Sequence, residues 1–190
     1  LRISTDSDST PPPRHGAHDG SAMSLAAQCT VMSSRDAIAQ FGRGHVRWMV
    51  ERGRWQRPYK GVIVLHPARL THDERLWCAL IAHGPEATTA GLTAAELDGL
   101  RGFSTPTQHL LVPRGRNPRA MPGVKVHSSE RLSERDIHPV RLPRRTRIQR
   151  SIIDAATWAV TPLQTQGILA ASVQQKLVTP EALQLAIAPR

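Results

Sequence analysis

The stretch from Ser33 to Val64, SSRDAIAQFGRGHVRWMVERGRWQRPYKGVIV, decides the fold that we expect for this chain. Ser33 or Ser34 can cap a short first helix, because a hydroxyl accepts a hydrogen bond from an otherwise unpaired amide at a helix start. Gly42 and Gly44 then predict a tight turn, since glycine adopts positive φ without strain. The stretch is therefore expected to begin as a helix followed by a glycine turn.

A second helix is expected from about His45 to Arg52. Its apolar residues recur at helical spacing and predict a core-facing side made of Val46, Met49 and Val50. The opposite side is polar and carries His45, Arg47, Trp48, Glu51 and Arg52. Gly53 fits the left-handed residue that commonly ends a helix. A turn at residues 58–61 and a strand at residues 62–64 complete the pattern of a winged helix-turn-helix.

This pattern points to DNA, because an α-helix fits the major groove and a hairpin wing beside it can contact phosphates. Residues 33–66 hold seven Lys/Arg and two acidic residues, a net of +5. The candidate groove contacts are Arg43, His45, Arg47 and Trp48, and the candidate phosphate contacts are Arg52, Arg54, Arg57 and Lys60. The competing interpretation is a plain packing unit with a solvated basic face.

A second basic segment follows at residues 112–150, which hold eleven basic and three acidic residues, a net of +8. Its candidate nucleic-acid or partner contacts are Arg114, Arg116, Arg119, Arg144 and Arg145. The loop around PRGRNPR is kept irregular by proline and glycine and can grip a nucleic-acid backbone. A solvated surface loop explains the same composition.

The rest of the chain predicts a small α/β domain with C-terminal helices, so the fold class is α+β. Thr71 with Glu74 and Thr93 with Glu96 have the spacing of capping boxes. Short strands are expected at residues 109–112 and 124–127, joined as a hairpin around the PRGR loop.

The C-terminal part is expected to be helical. A helix is predicted from Ile148 to Val160, with core positions at Ile152, Ile153, Ala156 and Val160. Within it Arg150 and Asp154 stand four residues apart and can pair, either as an ordinary helix salt bridge or as a buried polar latch or partner contact. Further helices are expected at residues 162–176 and from residue 180.

Composition limits the remaining possibilities. The chain has 190 residues and a formal net charge of +10, and no run approaches the roughly 18 apolar residues of a membrane helix. Residues 1–22 are poor in apolar side chains and are expected to be disordered. We therefore predict a winged domain at residues 23–68 and an α/β domain at residues 69–190. Cys29 and Cys78 are expected to be reduced thiols in a cytoplasm.

The sequence carries no recognisable catalytic motif. The nine histidines lack metal-site spacing, and there is no nucleophile elbow, P-loop or dinucleotide fingerprint. We expect no enzyme activity, no cofactor and no metal.

Several segments together resemble the AbiEi family of antitoxins and transcriptional regulators. The resemblance covers roughly residues 24–188 and rests on the order of GRGHVRWMVERGRWQRPYKGVIVL, LWCALIAHG, LTAAELDGL, QHLLVPRGR, GVKVHS, TRIQRSIIDAA and LVTPEAL. It implies a regulator that represses its own toxin-antitoxin operon on an inverted-repeat operator in double-stranded DNA. It also implies a nucleotidyltransferase-like toxin as the cognate partner.

Two features depart from the family pattern. Family members often have Ser-His before the LTAAELDGL segment, where this chain has Ala90-Gly91. The nuclease-like domain that follows in long relatives has no counterpart within the 190 residues. Two other interpretations therefore stand beside the regulator. The chain can be a protein-interaction module that binds a toxin or other acidic partner, or the non-catalytic part of a longer nuclease-like relative.

Overall fold

The computed structural model describes residues 30–115 and 118–187. This part of the chain holds seven α-helices, one 3-10 helix and two small sheets, as expected for an α+β protein. The predicted disordered tail at residues 1–22, together with Cys29 and Arg116, lies outside the described residues. None of the helices in the described part is both long and apolar enough to cross a bilayer.

The N-terminal unit contains the two helices that the sequence predicts. Strand β1 (Val31–Ser33) leads into helix α1 (Ser34–Phe41), and helix α2 (Arg43–Glu51) follows after a single residue. Ser33 caps α1, since its hydroxyl accepts the Asp36 amide at 3.0 Å. Gly42 makes the turn with φ +81°, whereas Gly44 is helical. Helix α2 therefore begins two residues earlier than predicted.

Strand β2 (Val62–Val64) lies in the middle of the first sheet. It pairs antiparallel with β1 in the register Val31↔Val64, and an antiparallel bridge joins Val64 to Gln56 on the other side. Gly53 has φ +66°, the left-handed conformation predicted after α2. The chain thus leaves α2, forms the outer bridge at Gln56, turns through residues 57–61 and returns as β2.

Helix α3 (His72–His83) and helix α4 (Gly91–Leu97) differ in how they begin. The predicted capping box of α3 is confirmed, because Thr71 and Glu74 exchange both hydrogen bonds. The box predicted at Thr93 is wrong. Helix α4 already begins at Gly91, and the Thr93 hydroxyl accepts the His109 amide at 2.9 Å from the neighbouring strand.

The second sheet has the strand order β3 (Thr88–Thr89), β4 (Gln108–Pro113), β5 (Val124–Ser129). Strands β3 and β4 are antiparallel, but β4 and β5 are parallel, so the predicted hairpin is wrong. The connection after β4 does not turn back at the PRGR loop. It runs back to the N-terminal end of β4 before β5 begins, and there the Gln108 amide donates to the Gly123 carbonyl at 2.8 Å.

The 3-10 helix (Glu134–Asp136) precedes three helices, α5 (Ile148–Thr157), α6 (Pro162–Gln174) and α7 (Pro180–Ile187). Helix α5 ends before Val160, which is 90% exposed, so its predicted core position is wrong. The Val160 amide instead donates to the Gln164 side chain at the start of α6. Ile152 is fully buried, as predicted.

The hydrophobic core extends across the domain boundary predicted at residue 68. One cluster packs Val31 and Val62 of the first sheet against Leu76 of α3 and Leu110 of β4. A second cluster fills the space between α4, α5, α6 and α7, and a third lies under α1 and α2. The two sheets thus share one core, and the division at residue 68 stays a prediction.

Glu74 joins the N-terminal unit to α3 through a polar cluster. Its carboxylate accepts hydrogen bonds from Thr30 at 2.8 Å, His66 at 2.7 Å and the Thr71 amide at 2.8 Å. Burial raises the pKa of Glu74, but these bonds outweigh it and lower that pKa to about 2. Glu74 is therefore a buried carboxylate that is stable in its charged form.

Candidate nucleic-acid interface

Helix α2 has one buried and one exposed side. Val46 is 1% exposed and belongs to the cluster of Ala37, Trp55 and Ile63. His45, Arg47 and Trp48 lie on the exposed side, as the sequence predicts. The helical period alone fixes this division, since residues three and four apart share a face.

Aromatic contacts hold two of the candidate groove residues in place. The His45 ring lies 5.5 Å from the Trp55 ring and 6.1 Å from the Trp48 ring. Trp48 is 51% exposed, and the Arg52 guanidinium lies 5.8 Å from its ring centre. His45 is therefore partly a packing residue, while Trp48 presents a flat ring to the solvent beside a cation.

The arginines of this unit remain accessible. Arg47 pairs with Glu51 at 3.0 Å, but both side chains are largely exposed, so the pair contributes little and its release costs little. The other cations, Arg43, Arg54, Arg57 and Lys60, are exposed and form no ion pair among the described residues. The exposed side of α2 and the turn after it therefore retain a positive charge.

Arg119 joins the second basic segment to the turn after α2. Its guanidinium donates to the Lys60 carbonyl at 3.1 Å, and its amide donates to His83 Nε2 at 3.2 Å. The His83 Nδ1–H donates to the Ala79 carbonyl at 2.8 Å, which leaves Nε2 free to accept. One arginine of the second segment thus extends the basic surface of the first.

The other described members of the predicted second patch, Arg114, Arg144 and Arg145, each lie beside a carboxylate. Arg114 pairs with Glu130, and Arg144 pairs with Glu134 at 2.9 Å. Arg145 is 4% exposed and lies 3.3 Å from Asp98, so it is a buried structural cation and not a surface contact. Burial lowers the pKa of Arg145, against the opposing effect of Asp98. Arg116 lies outside the described residues.

A groove formed by other arginines was missed at the sequence level. Arg131, Arg135 and Arg147 line a cavity of about 530 Å³ that also borders α5 and α7. We call this cavity the arginine groove. The only sequence signal was the basic excess of residues 112–150, because it is the fold that brings Arg131 and Arg135 next to Arg147 at the start of α5.

The predicted Arg150–Asp154 pair lies at the base of the arginine groove. Arg150 Nε lies 2.9 Å from both Asp154 oxygens, and its Nη1 lies 4.0 Å from Asp136. Burial raises the pKa of Asp154, while Arg150 lowers it. The Asp154 and Asp136 carboxylates are buried, so the pair is a polar latch rather than an ordinary surface bridge.

A stack of three rings was also missed. The His127 ring lies 3.4 Å from the Trp158 ring and nearly parallel to it, and His109 Nδ1 lies 3.1 Å from His127 Nε2. Burial lowers the pKa of both histidines, that of His127 to about 4, with contributions from neighbouring Lys125. Among the described residues no cluster of three potential metal ligands occurs.

In comparisons with known proteins, no family model and no curated protein matches this chain.

Proposed function

We propose that this chain is a DNA-binding transcriptional regulator of the antitoxin type, acting in the cytoplasm through a winged helix-turn-helix. The observation that carries the proposal is the arrangement around α2. An exposed, cationic helix stands beside a turn with more cations, and both rest on a small sheet.

The order of elements supports the winged interpretation. Strand β1, helices α1 and α2, the Gln56 bridge and β2 follow one another, and β2 lies between β1 and Gln56. In this interpretation α2 is the recognition helix and residues 57–61 form the tip of the wing. A recognition helix contacts base edges with residues near its N-terminus, which here are Arg43 and Arg47.

The remaining cations have a simple role in this arrangement. Arg52, Arg54, Arg57 and Lys60 follow the start of α2 and are exposed, as phosphate contacts must be. Arg119 adds a further cation next to Lys60. Trp48 offers a flat apolar surface for contact with a base or sugar, and the His45 ring lies 6.1 Å from it.

The biological role is taken from the resemblance to the AbiEi family. We propose that the regulator represses its own toxin-antitoxin operon through an inverted-repeat operator. The partner on the same operon is a nucleotidyltransferase-like toxin. These points rest on the resemblance alone, since a fold does not define a function.

Alanine substitution at the start of α2 tests the proposal. Arg43→Ala with Arg47→Ala should weaken binding to the duplex upstream of the gene by at least roughly tenfold, and should reduce the salt slope if either contacts phosphate. The matched control is Arg101→Ala, because Arg101 is exposed and, among the described residues, forms hydrogen bonds only through its backbone. Unchanged affinity and salt slope in the double variant would show that α2 is not the recognition helix.

A further inference from the structure

The arginine groove combines charged and aliphatic lining. The charged side chains come from residues 131–154, and they are Arg131, Arg135, Arg147 and Arg150 with Asp136 and Asp154. The aliphatic side chains are Ile153 of α5 and four residues of α7, namely Ala182, Leu185, Ala186 and Ile187. Cations and aliphatic side chains therefore border the same cavity of about 530 Å³.

The positive charge of this groove is not balanced from within. Arg150 contacts both buried aspartates, Asp136 and Asp154, so the four arginines and two aspartates of the lining leave a net charge of +2. Arg131, Arg135 and Arg147 are exposed and form no ion pair within the part of the chain that the structure describes. The Arg147 Nε–H donates to the Arg135 carbonyl at 2.9 Å, which fixes one of the three guanidinium groups without neutralising it.

Two large aliphatic side chains of the lining are exposed. Leu185 is 76% exposed and Ile187 is 64% exposed. Exposed apolar side chains that border a cavity mark a contact site more often than scattered ones do. Both residues border a cavity that is also lined by cations.

We propose that the arginine groove binds an acidic amphipathic peptide segment of a protein partner. Carboxylates of that segment would face Arg131, Arg135 and Arg147, and its aliphatic side chains would cover Leu185 and Ile187. Charge complementarity to three unpaired arginines selects an acidic occupant. A nucleic-acid backbone matches the arginines but supplies no aliphatic surface for α7, so the mixed character of the groove favours peptide over nucleic acid.

The proposal does not depend on DNA binding by α2, because the groove is built from residues 129–187 and shares no side chain with that face. A variant that loses peptide binding is therefore expected to retain its affinity for DNA. Conversely, the Arg43→Ala with Arg47→Ala variant is expected to bind peptide as the original chain does.

The test uses a fluorescein-labelled peptide whose leucines and glutamates are spaced so that they fall on opposite faces of a helix. Fluorescence anisotropy should detect saturable binding. Arg131→Glu and Leu185→Asp should each weaken it by roughly tenfold or more, since a like charge or a desolvated charge then faces the peptide. Both side chains are exposed, so neither change should impair folding, which circular dichroism checks.

Matched controls place the same changes elsewhere. Arg101→Glu and Val160→Asp alter exposed residues outside the groove and should leave the affinity within about twofold. A peptide with lysine in place of glutamate should not bind. The proposal would be overturned if groove and control variants lost affinity equally, or if no peptide binding were detected. It would also be overturned if duplex DNA displaced the peptide and the groove variants abolished binding of that DNA.

Discussion

Gly91 is the glycine at which the addition of a single methyl group should lower the free energy of unfolding most. Its φ is +56°, which disfavours any residue with a Cβ by about 1–2 kcal/mol. A Cβ would also stand 2.6 Å from Cζ3 and 2.7 Å from Cε3 of Trp158. Trp158 cannot easily withdraw, because His127 stacks on it at 3.4 Å. Overpacking of this kind costs about 1–3 kcal/mol, so Gly91→Ala should destabilise the fold by roughly 2–5 kcal/mol.

Urea unfolding followed by circular dichroism measures this cost. Gly53→Ala is the control, since Gly53 has a similar φ of +66° with nothing within 4 Å of the added Cβ. The Gly53→Ala variant should lose only about 1–2 kcal/mol of its free energy of unfolding. In a Trp158→Ala background the cost of Gly91→Ala should fall to the same level. Equal losses at the two glycines in the original chain would refute the contact. A histidine at position 91 would collide with Trp158 in the same way.

Three further predictions concern titration and reactivity. The charged form of Glu74 should add roughly 3 kcal/mol to stability above its ordinary pKa of 4.5. The difference in free energy of unfolding between the original chain and Glu74→Gln should therefore disappear as the pH falls toward 2. A difference that stays constant with pH would contradict this prediction. Burial raises the pKa of Glu96 to about 7, against a backbone hydrogen bond from Thr105. Glu96→Gln should therefore unfold at a higher urea concentration than the original chain at pH 8 but not near pH 4, and the reverse order would count against a desolvated carboxylate. Burial and the charge of Glu74 raise the pKa of the Cys78 thiol to about 12. In a Cys29→Ser variant this thiol should react with a thiol-specific dye only after denaturation, and rapid labelling of the native protein would contradict its burial.

The elements that the sequence predicts correctly depend on near neighbours. The caps at Ser33 and Thr71 and the left-handed Gly53 involve residues within about four positions. The errors come from contacts between distant segments. The parallel pairing of β4 with β5 is set by where the crossover returns, and no local turn signal reports that.

The candidate site follows the same rule. Helical period predicts the exposed face of α2, because one buried valine fixes the direction of the whole helix. Burial of Arg145 depends on Asp98, which lies in another segment. The arginine groove gathers side chains from residues 129–136, from α5 and from α7, so the basic excess of residues 112–150 indicated a basic surface without its location.

The central claim is sequence-specific DNA binding, and fluorescence anisotropy on the duplex upstream of the gene tests it most directly. The competitor is a scrambled duplex of equal length, and both are measured at two salt concentrations. We expect the protein to bind the native duplex at least tenfold more tightly than the scrambled one, about 1.4 kcal/mol. We also expect weaker binding at higher salt. Equal binding to both duplexes that disappears with salt would reduce α2 to a general phosphate contact and contradict the account.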